Sequence, residues 1–108
     1  MIPVDAYRGH HIGVYGLGRT GLATARALAA GGALVHVWDD GEPARKAAQD
    51  EGLSVSNFAD GSLFGYAALV LSPGVPLTHP EPHAIVKSAR EQGCPVIGDM
   101  ELFALANR

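Results

Sequence analysis

The chain has little of several features that define whole classes of protein. Its single cysteine excludes an internal disulfide and any site built from several thiolates. Its two lysines and six scattered arginines form no basic cluster, and the formal net charge of −3 argues against a nucleic-acid surface. No apolar run approaches the roughly 18 residues that a membrane-spanning helix needs, and no secretion signal opens the chain. We therefore expect a cytoplasmic protein with neither nucleic acid nor membrane as a partner.

The composition is that of one ordinary domain. Apolar residues make up 47% of the 108 residues and charged residues 18%, which is enough for a single core but not for a second domain. We expect residues 1–108 to form that domain. Cys94 precedes an apolar run and is expected near the core. The histidines form no helical i, i+4 zinc pair, because the two that are four positions apart, His79 and His83, flank a proline-rich loop. The sequence thus predicts no catalytic residue and no metal site.

A glycine-rich turn follows the first strand-like run. Residues 11–15 are short and mostly apolar, which suits a buried strand, and Gly16, Gly18 and Gly21 then have the spacing G-x-G-x-x-G before a helical segment. At such a junction the first glycine makes the tight turn, the second lets the backbone approach a pyrophosphate, and the third lets the helix pack closely. Glycine turns also occur for steric reasons alone, but this context predicts a nucleotide ligand.

An acidic pair stands at the distance that this motif requires. Asp39 follows the second strand-like run, 18 positions after Gly21, where a carboxylate accepts hydrogen bonds from a ribose diol. Aspartate is also a favoured N-cap, and residues 41–43 resemble a helix start. We assign ligand binding to Asp39 and helix capping to Asp40. Because a carboxylate here repels a 2′-phosphate, a nicotinamide ligand would be NAD rather than NADP.

Strand-like and helix-like segments alternate along the chain. Strands are predicted at residues 11–15, 34–38, 53–56, 67–71 and 95–98. Helices are predicted at residues 19–30, 42–51, 82–92 and 100–107. This alternation implies an α/β fold: a Rossmann-like, doubly wound, mainly parallel five-stranded sheet with helices on both faces. Ligands bind such a sheet at the carboxyl ends of its strands, where the glycine turn, the acidic pair and the segment 72–74 converge.

Four segments carry a more specific pattern than the glycine turn alone, namely residues 16–21, Asp39, residues 71–80 and residues 98–103. Together they resemble the amino-terminal domain of the Mur ligase family, over essentially the whole chain. The resemblance implies a domain that binds the UDP moiety, followed in the full enzyme by a central ATPase domain and a carboxy-terminal domain. It also implies the ATP- and magnesium-dependent joining of D-glutamate to UDP-MurNAc-L-alanine in peptidoglycan synthesis.

The same resemblance implies roles for individual residues. Backbone N–H groups of the glycine turn would meet the diphosphate, with the Thr20 hydroxyl as an added donor, and the acidic pair would lie beside the uracil and its ribose. The implied UDP-binding set is Gly16, Gly18, Arg19, Thr20, Gly21, Asp39, Asp40, Ser72 and Gly74. Some family members have a basic residue where this chain has Gly41. Arg19 is the candidate to replace it in part, unless its side chain faces solvent.

The chain has no loop suited to an ATP triphosphate, because neither lysine follows a glycine. We therefore predict a domain that binds nucleotide, holds no cofactor of its own and performs no ligation alone, with ATP and magnesium acting in the full-length enzyme. The alternative is an NAD-binding domain of a dehydrogenase or a regulatory ligand-sensing module. A third possibility is an interaction domain that binds no nucleotide.

Overall fold

A computed structural model describes residues 7–17, 19–56, 63, 65–71 and 84–98. The strands are β1 (His11–Tyr15), β2 (Leu34–Trp38), β3 (Ser54–Val55), β4 (Tyr66–Leu71) and β5 (Val96–Gly98). The helices are α1 (Arg19–Ala30), α2 (Glu42–Asp50) and α3 (Ala84–Glu91). Every predicted element that falls on these residues is present, with bounds that differ by two residues at most. The start of the third predicted helix, at residues 82 and 83, and the whole of the last, at 100–107, lie outside the described ranges.

The five strands form one sheet in the order β3-β2-β1-β4-β5, and every neighbouring pair is parallel. The chain winds outward from β1 through β2 to β3, and then returns to place β4 on the other side of β1. The winding direction therefore switches between β1 and β4, as the doubly wound prediction requires. Tyr15 ends β1 beside Trp38 of β2 and Leu71 of β4, so three strands end together at the carboxyl edge.

Successive strand residues lie on opposite faces of the sheet and contribute to two separate hydrophobic cores. Ile12 and Val14 are fully buried on one face of the sheet, together with Leu28 of α1 and Ala48 of α2. Tyr15 packs on the opposite face, in a cluster that includes Val86 and Ala89 of α3. We call these the α1–α2 face and the α3 face. Helices thus cover both faces, which confirms the prediction and leaves the strand ends as the place where polar loops meet.

Helix α1 ends at the glycine pair that follows it in the sequence. Gly32 has a φ of +94°, in the left-handed region that favours glycine, and the Ala33 N–H donates to the Leu28 carbonyl at 3.1 Å. The same backbone bond, to a carbonyl five residues back, follows α2 at Leu53 and α3 at Cys94. Each helix therefore stops sharply and returns the chain to the sheet. No helix in the described ranges has the length and apolarity to cross a membrane.

Candidate functional site

The carboxyl ends of β1 and β2 lie side by side and lead into the glycine turn and the acidic pair. Tyr15 of β1 is in register with Trp38 of β2. The Gly16 N–H then donates to the Trp38 carbonyl at 2.9 Å, so the parallel ladder continues one step past the strands. Gly16 has a φ of +96°, which a residue with a side chain rarely adopts. The glycine thus turns the chain out of β1 while it remains bonded to β2.

The next step of the ladder uses the side chain of Asp39 in place of a backbone carbonyl. Asp39 Oδ2 accepts a hydrogen bond from the Leu17 N–H at 2.7 Å, and Oδ1 accepts one from the Gly41 N–H at 2.7 Å. One carboxylate thereby joins the glycine turn to the entrance of α2. These are short hydrogen bonds to a charged acceptor, which are the stronger kind. Asp39 therefore holds the shape of the turn, a role that was not predicted from the sequence.

A buried tyrosine ends the strand that neighbours the acidic pair. The side chain of Tyr15, the last residue of β1, is only 4% exposed. Burial raises the pKa of Tyr15 well above its usual range, and the hydrogen bond to Asp40 and the charges of Asp40 and Asp39 raise it further. A tyrosine at a strand end is indistinguishable from an ordinary core residue in the sequence, so this contact was missed.

The prediction that Asp40 caps α2 is wrong. The N-cap is Gly41, with extended backbone angles and no side-chain capping bond, and its carbonyl accepts the first helical hydrogen bond from Arg45. The reason lies in the partner of Asp39. The bond from the Gly41 N–H to Asp39 closes a local aspartate turn that moves the helix start one residue onward.

A cation stands beside the acidic pair, one helical turn into α2. The Arg45 guanidinium lies 4.6 Å from the centre of the Trp38 ring, and its Nη1 donates to the Asp39 carbonyl at 2.7 Å. Together they form one side of a pocket of about 440 Å³, which is lined by Trp38, Glu42, Arg45, Lys46, Gln49 and Val55. Arg45 was not singled out from the sequence, although its place four residues after Gly41 puts it on the first turn of the helix.

The structure brings three of the predicted site residues together, namely Gly16, Asp39 and Asp40. Gly21 is buried in the first turns of α1, as close packing of that helix requires. The backbone of Arg19 and Thr20 begins α1, directly after the turn, while their side chains are not among the described parts of the chain. Gly18, Ser72 and Gly74 lie outside the described residues.

The cysteine and two of the histidines lie away from the carboxyl edge of the sheet. Cys94 is 5% exposed, as expected of a core residue, and burial raises the pKa of its thiol. His11 begins β1 and His36 lies in the middle of β2, and the His11 Nδ1 and the His36 Nε2 are 2.9 Å apart. Among residues 7–17, 19–56, 63, 65–71 and 84–98, no three histidine, cysteine or acidic side chains are grouped as metal ligands.

Comparison with solved structures supports the fold. Shikimate dehydrogenase from Aquifex aeolicus superposes with a TM-score of 0.68 at 22% sequence identity, covering 93% of this chain and 46% of the dehydrogenase. At that identity the likeness concerns the Rossmann-like architecture alone.

Comparison of sequences identifies the family. A family model described as the Mur ligase MurD-like N-terminal domain matches residues 10–98. The UDP-N-acetylmuramoylalanine--D-glutamate ligase of Phenylobacterium zucineum (strain HLK1) is 55% identical over 104 residues, which are 96% of this chain and 22% of the relative. The ligase of the same name from Rhizobium meliloti (strain 1021) is 45% identical over 108 residues, which are 100% of this chain and 23% of the relative. The chain therefore spans less than a quarter of these relatives, and it belongs to the Mur ligase family as a MurD-like N-terminal domain.

Proposed function

We propose that this chain binds the UDP portion of UDP-MurNAc-L-alanine at the carboxyl edge of its sheet, as one domain of an ATP-dependent ligase that adds D-glutamate. One observation carries the proposal. The Asp39 carboxylate fastens the glycine turn to the start of α2, which shapes the edge where a nucleotide would lie. The names of the relatives supply the substrate class, because they are ligases that act on UDP-N-acetylmuramoylalanine.

Electrostatics supports one orientation of the nucleotide. A diphosphate suits the start of α1, where the first N–H groups of the helix have no partner within the helix and the dipole is positive. Two carboxylates follow β2, and they would repel a diphosphate but accept hydrogen bonds from hydroxyl or N–H groups. The nucleoside therefore belongs beside Asp39 and Asp40. The diphosphate belongs beside Gly18, Arg19 and Thr20, with Ser72 and Gly74 completing the proposed site.

The cations beside the acidic pair offset its charge. Arg45 and Lys46 line the pocket next to Trp38. Their positive charges partly offset the repulsion that the two carboxylates exert on an anionic ligand approaching from that side. A Cβ at Gly41 would lie 3.2 Å from Asp39 Oδ1, which is a tight contact. In this chain we therefore assign Arg45 the electrostatic role of the basic residue that some family members have at the position of Gly41.

The rest of the reaction belongs to parts of the enzyme beyond these 108 residues. The curated relatives are more than four times as long, and this chain has no loop suited to an ATP triphosphate. We propose that ATP, magnesium and D-glutamate are bound by the central and carboxy-terminal domains, and that the isolated domain is inactive. The proposed location is the cytoplasm, where ATP and UDP-activated sugars are available.

Backbone amide resonances recorded during titration with millimolar UDP test this proposal. Shifts are expected to concentrate at residues 16–21, 39–41 and 72–75, because these segments surround the proposed ligand. NAD is the matched comparison, since it also carries a diphosphate and ribose but lacks the uracil. Shifts spread evenly over the chain, or absent at millimolar UDP, would overturn the assignment. A stronger response to NAD would favour the dehydrogenase-type alternative.

A further inference from the structure

The pocket beside α2 lies at the carboxyl edge of the sheet, on the side away from the glycine turn. In the strand order β3-β2-β1, the turn follows β1, the acidic pair follows β2, and β3 lies beyond them. Trp38 ends β2 and Val55 ends β3, and both line this pocket of about 440 Å³, with α2 forming the remaining wall. Small-molecule sites have volumes of roughly 300–1,000 Å³. The edge therefore offers a ligand three successive places, namely the glycine turn, the acidic pair and the pocket.

The order of these places matches the order of the groups in a nucleoside diphosphate. In sheets of this type the pyrophosphate lies at the start of the first helix, and the ribose lies beside the acidic residue after the second strand. The diphosphate is joined to the ribose at C5′ and the base at C1′, so the base continues past the acidic pair toward β3. Neighbouring strands are about 4.8 Å apart, which brings the pocket within reach of a base whose ribose stands at the acidic pair.

Arg45 presents ordered hydrogen-bond donors at this pocket. Its Nη1 donates to the Asp39 carbonyl at 2.7 Å, and its guanidinium lies 4.6 Å from the centre of the Trp38 ring. These two contacts hold the side chain in place. The bond to Asp39 uses one of the five N–H donors of the guanidinium, and the residues that the structure describes provide no other hydrogen-bond partner for the rest. Arg45 is thus oriented in advance and still has donors to offer, as a binding group requires.

We propose that Arg45 is a specificity-determining residue of the nucleotide site, which selects uracil by donating a hydrogen bond to the carbonyl group at C4 of the base. This inference rests on the proposed function. C4 lies across the ring from N1, the atom joined to the ribose, so its substituent points away from the acidic pair and into the pocket. A guanidinium can only donate. Cytosine has an amino group at C4, which is also a donor, and a site built to bond a carbonyl rejects a base that lacks it.

The ratio of UDP affinity to CDP affinity isolates this role, because the two nucleotides share the ribose and the diphosphate and differ only in the base. The 108-residue parent is expected to bind UDP about tenfold or more tightly than CDP, the effect typical of a hydrogen bond to a charged group. Arg45→Met keeps an unbranched stem against Trp38 and removes the donors, so it is expected to bring the ratio close to one. Titrations followed by backbone amide resonances measure both affinities.

A loss of charge or of local structure would change the two affinities together. Arg45 also offsets the acidic pair and bonds to the Asp39 carbonyl, and both effects act equally on UDP and CDP. Only a change in the ratio therefore reports on the base. Lys87→Met, the matched change of an exposed cation on α3, is expected to leave the ratio at the value of the parent. Thermal unfolding of each variant checks that the affinities refer to folded protein.

The possible outcomes separate a failure of this inference from a failure of the proposed function. If the parent binds no UDP, the proposed function fails and this inference falls with it. If the parent binds UDP no more tightly than CDP, or Arg45→Met weakens the binding of both by the same factor, only the role of Arg45 in base selection is overturned. A ratio that falls in Arg45→Met and not in Lys87→Met supports that role.

Discussion

The Asp39 carboxylate accepts a hydrogen bond from the Leu17 amide at 2.7 Å, across 22 positions of sequence. Through its other oxygen it also accepts the Gly41 amide at 2.7 Å. Asp39, which was expected to contact the ligand, therefore also joins three backbone segments: the glycine turn, the end of β2 and the start of α2. Because the same group supports the fold and stands at the proposed site, its substitution affects both.

Asp39→Asn is expected to lower the free energy of unfolding by about 1–3 kcal/mol, because the amide has one acceptor oxygen for two N–H donors and faces one of them with its own NH₂. Urea denaturation followed by circular dichroism measures the change. Asp50→Asn, at the exposed end of α2, is the matched control and is expected to change stability by less than about 0.5 kcal/mol. Equal stability of the two variants would contradict the bridging role. UDP affinity of Asp39→Asn is also expected to fall, since the turn loses its support.

Arg45→Ala is expected to weaken UDP binding, because it removes the cation that offsets the acidic pair, and to cost about 0.5–1 kcal/mol of stability through the lost contact with Trp38. Trp38 is the only tryptophan of the chain, so its fluorescence reports both the unfolding and the titration with UDP. Lys87→Ala, which removes an exposed cation from α3, serves as the control for the change in net charge. If both variants bound UDP with the same affinity, the effect of Arg45 would be no more than that of net charge.

Acidification is expected to destabilise the protein through His36. Burial lowers the pKa of His36, and the neighbouring charge of His11 lowers it further. The unfolded chain takes up this proton near pH 6.5, whereas the folded protein takes it up only at lower pH. Stability is therefore complete above about pH 6.5 and falls as the pH drops toward the folded-state pKa.

The arrangement of the two rings agrees with this direction. His11 and His36 are bonded through ring nitrogens 2.9 Å apart, and two charged rings at that distance repel one another. The His36 Nδ1 is buried and finds no hydrogen-bond partner among the residues that the structure describes, while the Tyr66 ring lies 5.3 Å from His36 between ring centres.

Unfolding in urea at pH 7.5 and 5.5 tests the prediction. Over this pH interval, His36→Gln is expected to lose less stability than the parent. His10→Gln, which changes an exposed neighbour of His11, is the control and is expected to lose as much stability as the parent. If His36→Gln lost as much stability as the parent, the acid sensitivity would belong to other groups.

The isolated chain is expected to release no phosphate from ATP, even with magnesium, D-glutamate and UDP-MurNAc-L-alanine present. The physical reason is that the sequence has no G-x-x-x-x-G-K-[ST] loop of the kind that holds an ATP triphosphate. A colorimetric phosphate assay measures the rate, with a preparation of Asp39→Asn purified in parallel to reveal contaminating ATPases. Release by the parent above that shared background would require an ATP site within this domain.

The amino-acid sequence by itself determined the elements and the fold class. The bounds of α1, β1 and β2 were predicted to the residue, because apolar runs, alanine-rich segments and glycine stops act over a few neighbouring positions. The alternation of strands and helices then left a parallel, doubly wound sheet as the natural arrangement. The glycine turn and Asp39 were found for the same reason, since their spacing is itself a local pattern.

Only the tertiary structure decided what the side chains at the edge of the sheet do. Asp40 has the local surroundings of a helix cap, yet Gly41 takes the cap position and donates its N–H to Asp39. Asp39 bonds to Leu17, and His11 to His36, across 22 and 25 positions of sequence. Such contacts depend on which strands become neighbours and in which register, and the sheet establishes both only when it is assembled. Propensity and spacing describe a residue among its neighbours in sequence, whereas hydrogen bonds and buried charges depend on its neighbours in space.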